Sequence, residues 1–287
     1  MDVQELNVQE IADAMLSTGS LLVLYLAIFF IANIFYARKA GADIKRQIIE
    51  KDNAAAAISF AGFLIGQGII FIGSVMGPSK GLVADLLIVL QYGALGILLL
   101  FISHWINDKL ILSRFCNRTL ITEKQNIGVG VVQAASFVAS GLMIAGSLQG
   151  EGGGIETAFA FFILGQLFLV IMGKVYDKLT PFDLQQEVLD NNPAASVSFA
   201  GSLIALGIIL SKAASGDFIS WEANVTSFLS FALGACLLLP VFRFFFDKCV
   251  ISQGDLNSEI ARDKNLGAGI LELATTVIFT AVLCFLF

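Results

Sequence analysis

The 287-residue sequence predicts an all-α polytopic membrane protein, with eight transmembrane helices forming two tandem four-helix repeats, or four parallel-oriented helical hairpins. Three observations predict it. Hydrophobic residues make up 57% of the chain and charged residues only 14%, with a mean hydropathy of +0.83, whereas a soluble domain is about a quarter charged. Twelve of the eighteen residues at 53–70 recur at an offset of 139, at 192–209. Fifteen of the seventeen Lys and Arg residues lie in, or one turn from, four short connections.

Taken in order, residues 1–19 are acidic (Asp2, Glu5, Glu10, Asp13) and lack Lys and Arg, so they do not read as a secretory signal peptide. They read as an outward-facing segment, either resting on the membrane surface or solvated. The first four-helix unit covers 20–149. Its first span lies near 20–37 and leads into a connection carrying Arg38, Lys39, Lys45, Arg46 and Lys51. The second span, near 54–76, follows Asn53 and ends at Gly77-Pro78-Ser79-Lys80-Gly81, a turn composition. A third span near 82–106, a connection with Lys109, Arg114, Arg118 and Lys124, and a fourth span near 127–148 complete the unit. Residues 150–155 form a Gly-rich linker. The second unit, 156–287, repeats the plan with spans near 156–174, 194–212, 223–246 and 267–287. Each approaches the roughly 20 apolar residues that cross a bilayer as helix. A membrane β-barrel would show weaker, alternating hydrophobicity instead.

The basic residues set the orientation. Positively charged loops stay in the cytoplasm, which places the four connections there and both termini outside. Within these connections, residues 44–49 and 182–189 read as short amphipathic helices against the inner leaflet.

The Asn-led, Ala/Gly-rich second helix of each hairpin, the repeated hairpin and the four-helix half together resemble the DUF350 (UPF0719, YjfL-like) family. The resemblance covers two complete units, about 20–149 and 156–287. It implies a bacterial inner-membrane protein, linked to envelope stress or to partners at the cytoplasmic face. It carries over no catalytic residue.

Several residues stand out as candidate sites. Asn53, Asn126, Asn192 and Asn265 each precede a span, and Asn is a favoured N-cap because its side-chain oxygen accepts from orphan backbone N–H groups. Gly62 and Gly66 align with Ala135 and Ala139 and with Gly201 and Ala205, a small-xxx-small spacing that lets helices pack closely in lipid. Glu272 lies seven residues after Asn265, about 10 Å into its span at ~1.5 Å per residue. An acid at that depth requires a partner, water or a proton. Its repeat counterpart is Gln133, and a Glu272–Gln133 hydrogen bond is one way to satisfy it. Gln67, Gln91, Tyr92 and Gln166 add further polar atoms within spans. His104 and Trp105 end the third span, and Arg243 and Phe244 stand at their counterparts; these read as interfacial anchors. Lys45, Arg46, Arg114 and Arg118 form the core of the cytoplasmic basic face.

The four cysteines are scattered without a CxxC, and a lone histidine makes no zinc site. No HExxH, GxSxG or P-loop occurs. The reading is therefore a non-enzymatic protein without cofactor or metal. Its expected contacts are the lipid bilayer, a cytoplasmic-side protein partner and other copies of itself; a net charge of −6 gives no reason to expect nucleic acid. Two functions fit. One is a scaffold whose basic connections dock a partner or anionic lipid. The alternative is a channel or transporter for a small cation or proton, using Glu272 and the intramembrane glutamines.

Overall fold

The computed structural model describes residues 8–40, 44–249 and 255–286; residues 1–7 of the predicted N-terminal segment lie outside the described residues. Eight helices are long and apolar enough to cross a membrane. In order, the elements are α1 (Val8–Ala40), α2 (Ile44–Ile49), α3 (Ala54–Val75), α4 (Leu82–Leu110), α5 (Asn117–Thr122), α6 (Ile127–Ser147), α7 (Ile155–Leu179), α8 (Leu184–Leu189), α9 (Pro193–Ala214), α10 (Trp221–Cys249), a π-helical turn (Ser258–Arg262) and α11 (Leu266–Leu286). The short elements α2, α5, α8 and the π turn occupy the four basic connections, all at one end of the bundle.

The segment that the sequence sets apart before residue 20 is, from Val8 on, the first turns of α1. A single Gly19 costs a helix only about 1 kcal/mol against Ala, which does not stop a run otherwise made of good helix formers.

The four Asn-led helices form one row, α3–α6–α9–α11, each packed on the next. The other four spans make a second layer. There α4 lies against α3 and α6, α7 against α6 and α9, and α10 against α9 and α11, while α1 rests on α4. Small residues permit the row. A methyl group added at Gly207 would sit 2.5 Å from the Ala139 Cα, and one at Gly201 would sit 2.6 Å from the Leu273 Cα. Gly62 is likewise closed off by the Ala134 backbone and Gly66 by that of Phe137, while a methyl at Gly141 would meet the Gly66 backbone. Ala135, Ala139 and Ala205 are buried in the same row. Close approach of this kind is the main source of helix association where lipid competes as an apolar solvent.

Candidate functional site

The site is built on the four asparagines. Asn53, Asn126, Asn192 and Asn265 each follow a residue in the left-handed region (Asp52, Gln125, Asn191 and Lys264, φ 48° to 57°), which turns the chain into the helix. Each side-chain oxygen accepts from the first turn: Asn53 from the Ala56 N–H at 3.1 Å, Asn126 from Val129 at 2.9 Å, Asn192 from Ala194 at 3.0 Å, and Asn265 from Gly267 at 3.0 Å. The amide nitrogens do something the sequence does not announce. Asn53 Nδ2 donates to the Ile121 carbonyl in α5, Asn126 Nδ2 to the Val188 and Leu189 carbonyls in α8, and Asn192 Nδ2 to the Ile260 carbonyl in the π turn. Each cap thereby ties its helix to the next connection along the row. Asn265, at the end of the row, is exposed; its amide donates to Glu259 of its own connection.

Just above the caps, each half holds a polar cluster. In the second half Glu272 is 2% exposed and pairs with Arg243, Nε to Oε1 at 2.9 Å. Ser198 Oγ donates to Glu272 Oε2 at 2.6 Å, and the Tyr176 hydroxyl lies 2.8 Å from Ser198 and 3.5 Å from Glu272. The Arg243 guanidinium lies over the Tyr176 ring, 5.1 Å from its centroid, and Nη2 donates to Asn257 Oδ1 at 3.2 Å. Taking an ion pair out of water is costly unless its geometry and remaining hydrogen bonds compensate, and here both ions have further partners.

The first half holds the counterpart without the ion pair. Ser59 Oγ donates to Gln133 Oε1, and the Tyr36 hydroxyl lies 3.2 Å from Ser59. Gln133 Nε2 donates to Asp108 at 3.1 Å, and His104, in the place of Arg243, stacks on Phe137 and reaches Asp108 at 3.6 Å. Glu272 and Gln133 are therefore not a pair. They are equivalent residues in separate clusters, because each is held by the serine of the neighbouring helix in its own half.

Arg243 is likewise no mere interfacial anchor, since its guanidinium turns inward to the acid. Trp105 and Phe244, by contrast, are exposed. Gln67 is buried with neither amide atom hydrogen-bonded among the described residues. Gln166 Nε2 donates to Asn107 Oδ1 at 2.5 Å, and Asn107 Nδ2 donates to Ser136 at 2.6 Å, so α7 of the second half is fastened to α4 and α6 of the first. Gln91 and Tyr92 line a separate cavity of about 380 Å³ at the opposite end, beside Gly150–Gly154. Of the basic face, Arg114 is bonded to Asp183, joining the two halves, and Arg46 pairs with Glu50 at 3.0 Å. Arg118 borders the first-half cluster. Lys45 lies on α2, in the first connection.

The polar clusters border cavities of unequal size. That of the first half is about 140 Å³; that of the second is about 300 Å³ and lies among α7, α9, α10 and α11, with Glu272, Arg243, Asp247 and Asn257 at its polar end. Among the described residues no group of three His, Cys, Asp or Glu side chains is placed to hold a metal ion.

The profile of DUF350, a Domain of Unknown Function, matches residues 9–148 and 152–286. A UPF0719 transmembrane protein of Aquifex aeolicus (strain VF5) is 23% identical over 266 residues, which are 91% of this chain and 96% of that protein. The UPF0719 inner membrane protein YjfL of Escherichia coli (strain K12) is 36% identical over 88 residues, 28% of this chain and 66% of YjfL. No solved structure gives a significant match.

Proposed function

The chain belongs to the DUF350 (UPF0719) family of membrane proteins, and on that premise we propose that it is a non-enzymatic scaffold whose basic connections dock an acidic surface at the cytoplasmic face. The observation that supports this is the lacing of the connections. Asn53, Asn126 and Asn192 fasten them into one platform, and the Arg114–Asp183 bridge adds a fourth tie. Charge on that platform is uneven. The first two connections carry nine Lys and Arg residues against Asp43, Glu50, Asp52, Asp108 and Glu123, whereas the third sets Lys174 and Lys178 against Asp177, Asp183, Glu187 and Asp190. Near anionic lipid each Lys or Arg contributes about 1 kcal/mol, so the docking side is that of the first half.

The test is enrichment of anionic lipid around the purified protein in mixed vesicles, together with pull-down of acidic partners from membrane extracts. Charge reversal at Lys45, Arg46 and Arg118 is expected to abolish whichever of the two is present. Absence of both enrichment and capture with the wild type would sink the reading. Labelling of Lys45 or Arg118 from the outside would do the same, since this reading, by the positive-inside rule, requires both in the cytoplasm.

A second reading, transport of a small cation or proton, is favoured by the placing of Glu272 on a cavity. It competes with two facts: the acid is already neutralised by Arg243, and the row α3–α6–α9–α11 is packed backbone to backbone. Flux of H⁺, K⁺ or Na⁺ into vesicles above the empty control, lost in Glu272→Gln, would replace the scaffold by a transporter.

A further inference from the structure

The two halves differ most where their cavities lie. In the first half Phe63, Phe101 and Phe137 fill the space above the polar cluster. Phe63 lies 5.5 Å from each of the other two rings, and Tyr36 stacks on it at 4.5 Å. At the 139-residue offset the second half has Ser202, Pro240 and Thr276 in these places. All three line the 300 Å³ cavity. Three aromatic rings have thus been exchanged for smaller side chains within one frame, and a cavity remains where they would lie. Cores are normally packed to the density of organic crystals, so a void left in this manner is unlike ordinary packing and within the size range of small-ligand sites.

The chemistry of the walls identifies the ligand. The depth is apolar, with Met172, Leu206 and Leu239, and one flank is marked by the exposed Phe244 and Leu179 on α10 and α7. The end near the connections offers both signs of charge. Arg243, 20% exposed, has donors beyond those given to Glu272 and Asn257, and the Asp247 carboxylate on the same helix, which accepts from the Leu256 N–H and has Lys248 Nζ at 3.5 Å, also lines this end. Arg243 is offset by Glu272 and Asp247 by the exposed Lys248, so neither a bare anion nor a bare cation is favoured. A head group carrying both charges satisfies the two walls together, with its anion at Arg243 and Asn257 and its cation at Asp247.

We infer that the second half holds a zwitterionic phospholipid, part of its acyl chains in the space vacated by the three rings and its phosphate-and-ammonium head at Arg243 and Asp247. This goes beyond the docking reading, which concerns anionic surfaces on the first half.

The inference is tested on the full-length protein in vesicles of equal phosphatidylethanolamine and phosphatidylglycerol, extracted gently and weighed by native mass spectrometry. The wild type is expected to retain one phosphatidylethanolamine. In Ser202→Phe/Thr276→Phe, which rebuilds the first half's packing, retention is expected to fall about tenfold or more. Thr276→Phe alone serves if the double variant does not fold. Adding lysophosphatidylethanolamine separates a two-chain lipid from a free single-chain amphiphile. Preferential retention of phosphatidylglycerol, displacement by the single-chain compound, equal retention in the filled variants, or no retained lipid in the wild type each overturns the assignment.

Discussion

Set side by side, the two polar clusters share their frame and differ in their charge. Each places a tyrosine hydroxyl against a serine, and that serine against the residue seven positions after an Asn cap. In the first half that residue is Gln133, with His104 nearby; in the second it is Glu272, with Arg243. An amide hydrogen-bonded to Asp108 and an acid paired with Arg243 are thus alternative ways to satisfy one location. The comparison teaches that the frame belongs to the fold, whereas the Arg–Glu pair and the larger of the two cavities belong to the second half.

The largest expected effect breaks the charged side of this comparison. Arg243→Met leaves Glu272 buried and unpaired, and removing one partner of a buried pair costs about 3–5 kcal/mol. His104→Ala should cost far less, the ~0.5–1.5 kcal/mol of an aromatic pair beyond its buried area, with both read from chemical denaturation in detergent micelles. Next comes the shared row. Gly201→Val forces a side chain into the Leu273 backbone, where overpacking costs about 1–3 kcal/mol. The same change at Gly234, which has open space around it, should fall below 1 kcal/mol, of the order of a helix-propensity change.

The caps give a smaller contrast. Asn192→Ala removes both a cap, ~0.5–2 kcal/mol, and the buried bond to Ile260, whereas Asn265→Ala at the exposed end of the row removes the cap and only an exposed bond to Glu259. Hydrogen exchange in the connections should therefore rise more for the first. Smallest is the pH response of the Arg114–Asp183 bridge between the halves. The Arg114 guanidinium and the Gln186 N–H hold the Asp183 carboxyl below its ordinary range. The bridge's contribution is accordingly complete above the unfolded carboxyl pKa of about 3.9 and declines as pH falls through the lower folded value. An acid titration of wild type against Asp183→Asn checks it. At this exposed position the difference should stay within about 1 kcal/mol.

Much of this was legible in the chain, for reasons that also mark where legibility stops. Hydropathy, the 139-residue offset and the basic connections report properties of single segments, so the eight spans and Glu272 emerge from them. Partners across helices do not. Arg243 lies at the connection end of a span, where a cation ordinarily faces the headgroups, and nothing in α10 reveals that α11 offers it an acid. Tyr36 and Tyr176 are 140 apart rather than 139, because the turn before Asn53 has one residue more than that before Asn192. The matched Ser59 and Ser198, polar residues within spans at the 139 offset, were the available signal. The three Phe positions could also have been aligned, but only packing shows that their replacements leave space.

The most direct test of the shared frame is a double-mutant cycle on stability with Arg243→His and Glu272→Gln. If the pair acts as a unit, the double variant, which carries the first half's residues, should lose less stability than Arg243→His alone, with a coupling of at least about 0.5–3 kcal/mol. Losses that simply add would contradict the account: the two clusters would not then be alternative solutions on one frame.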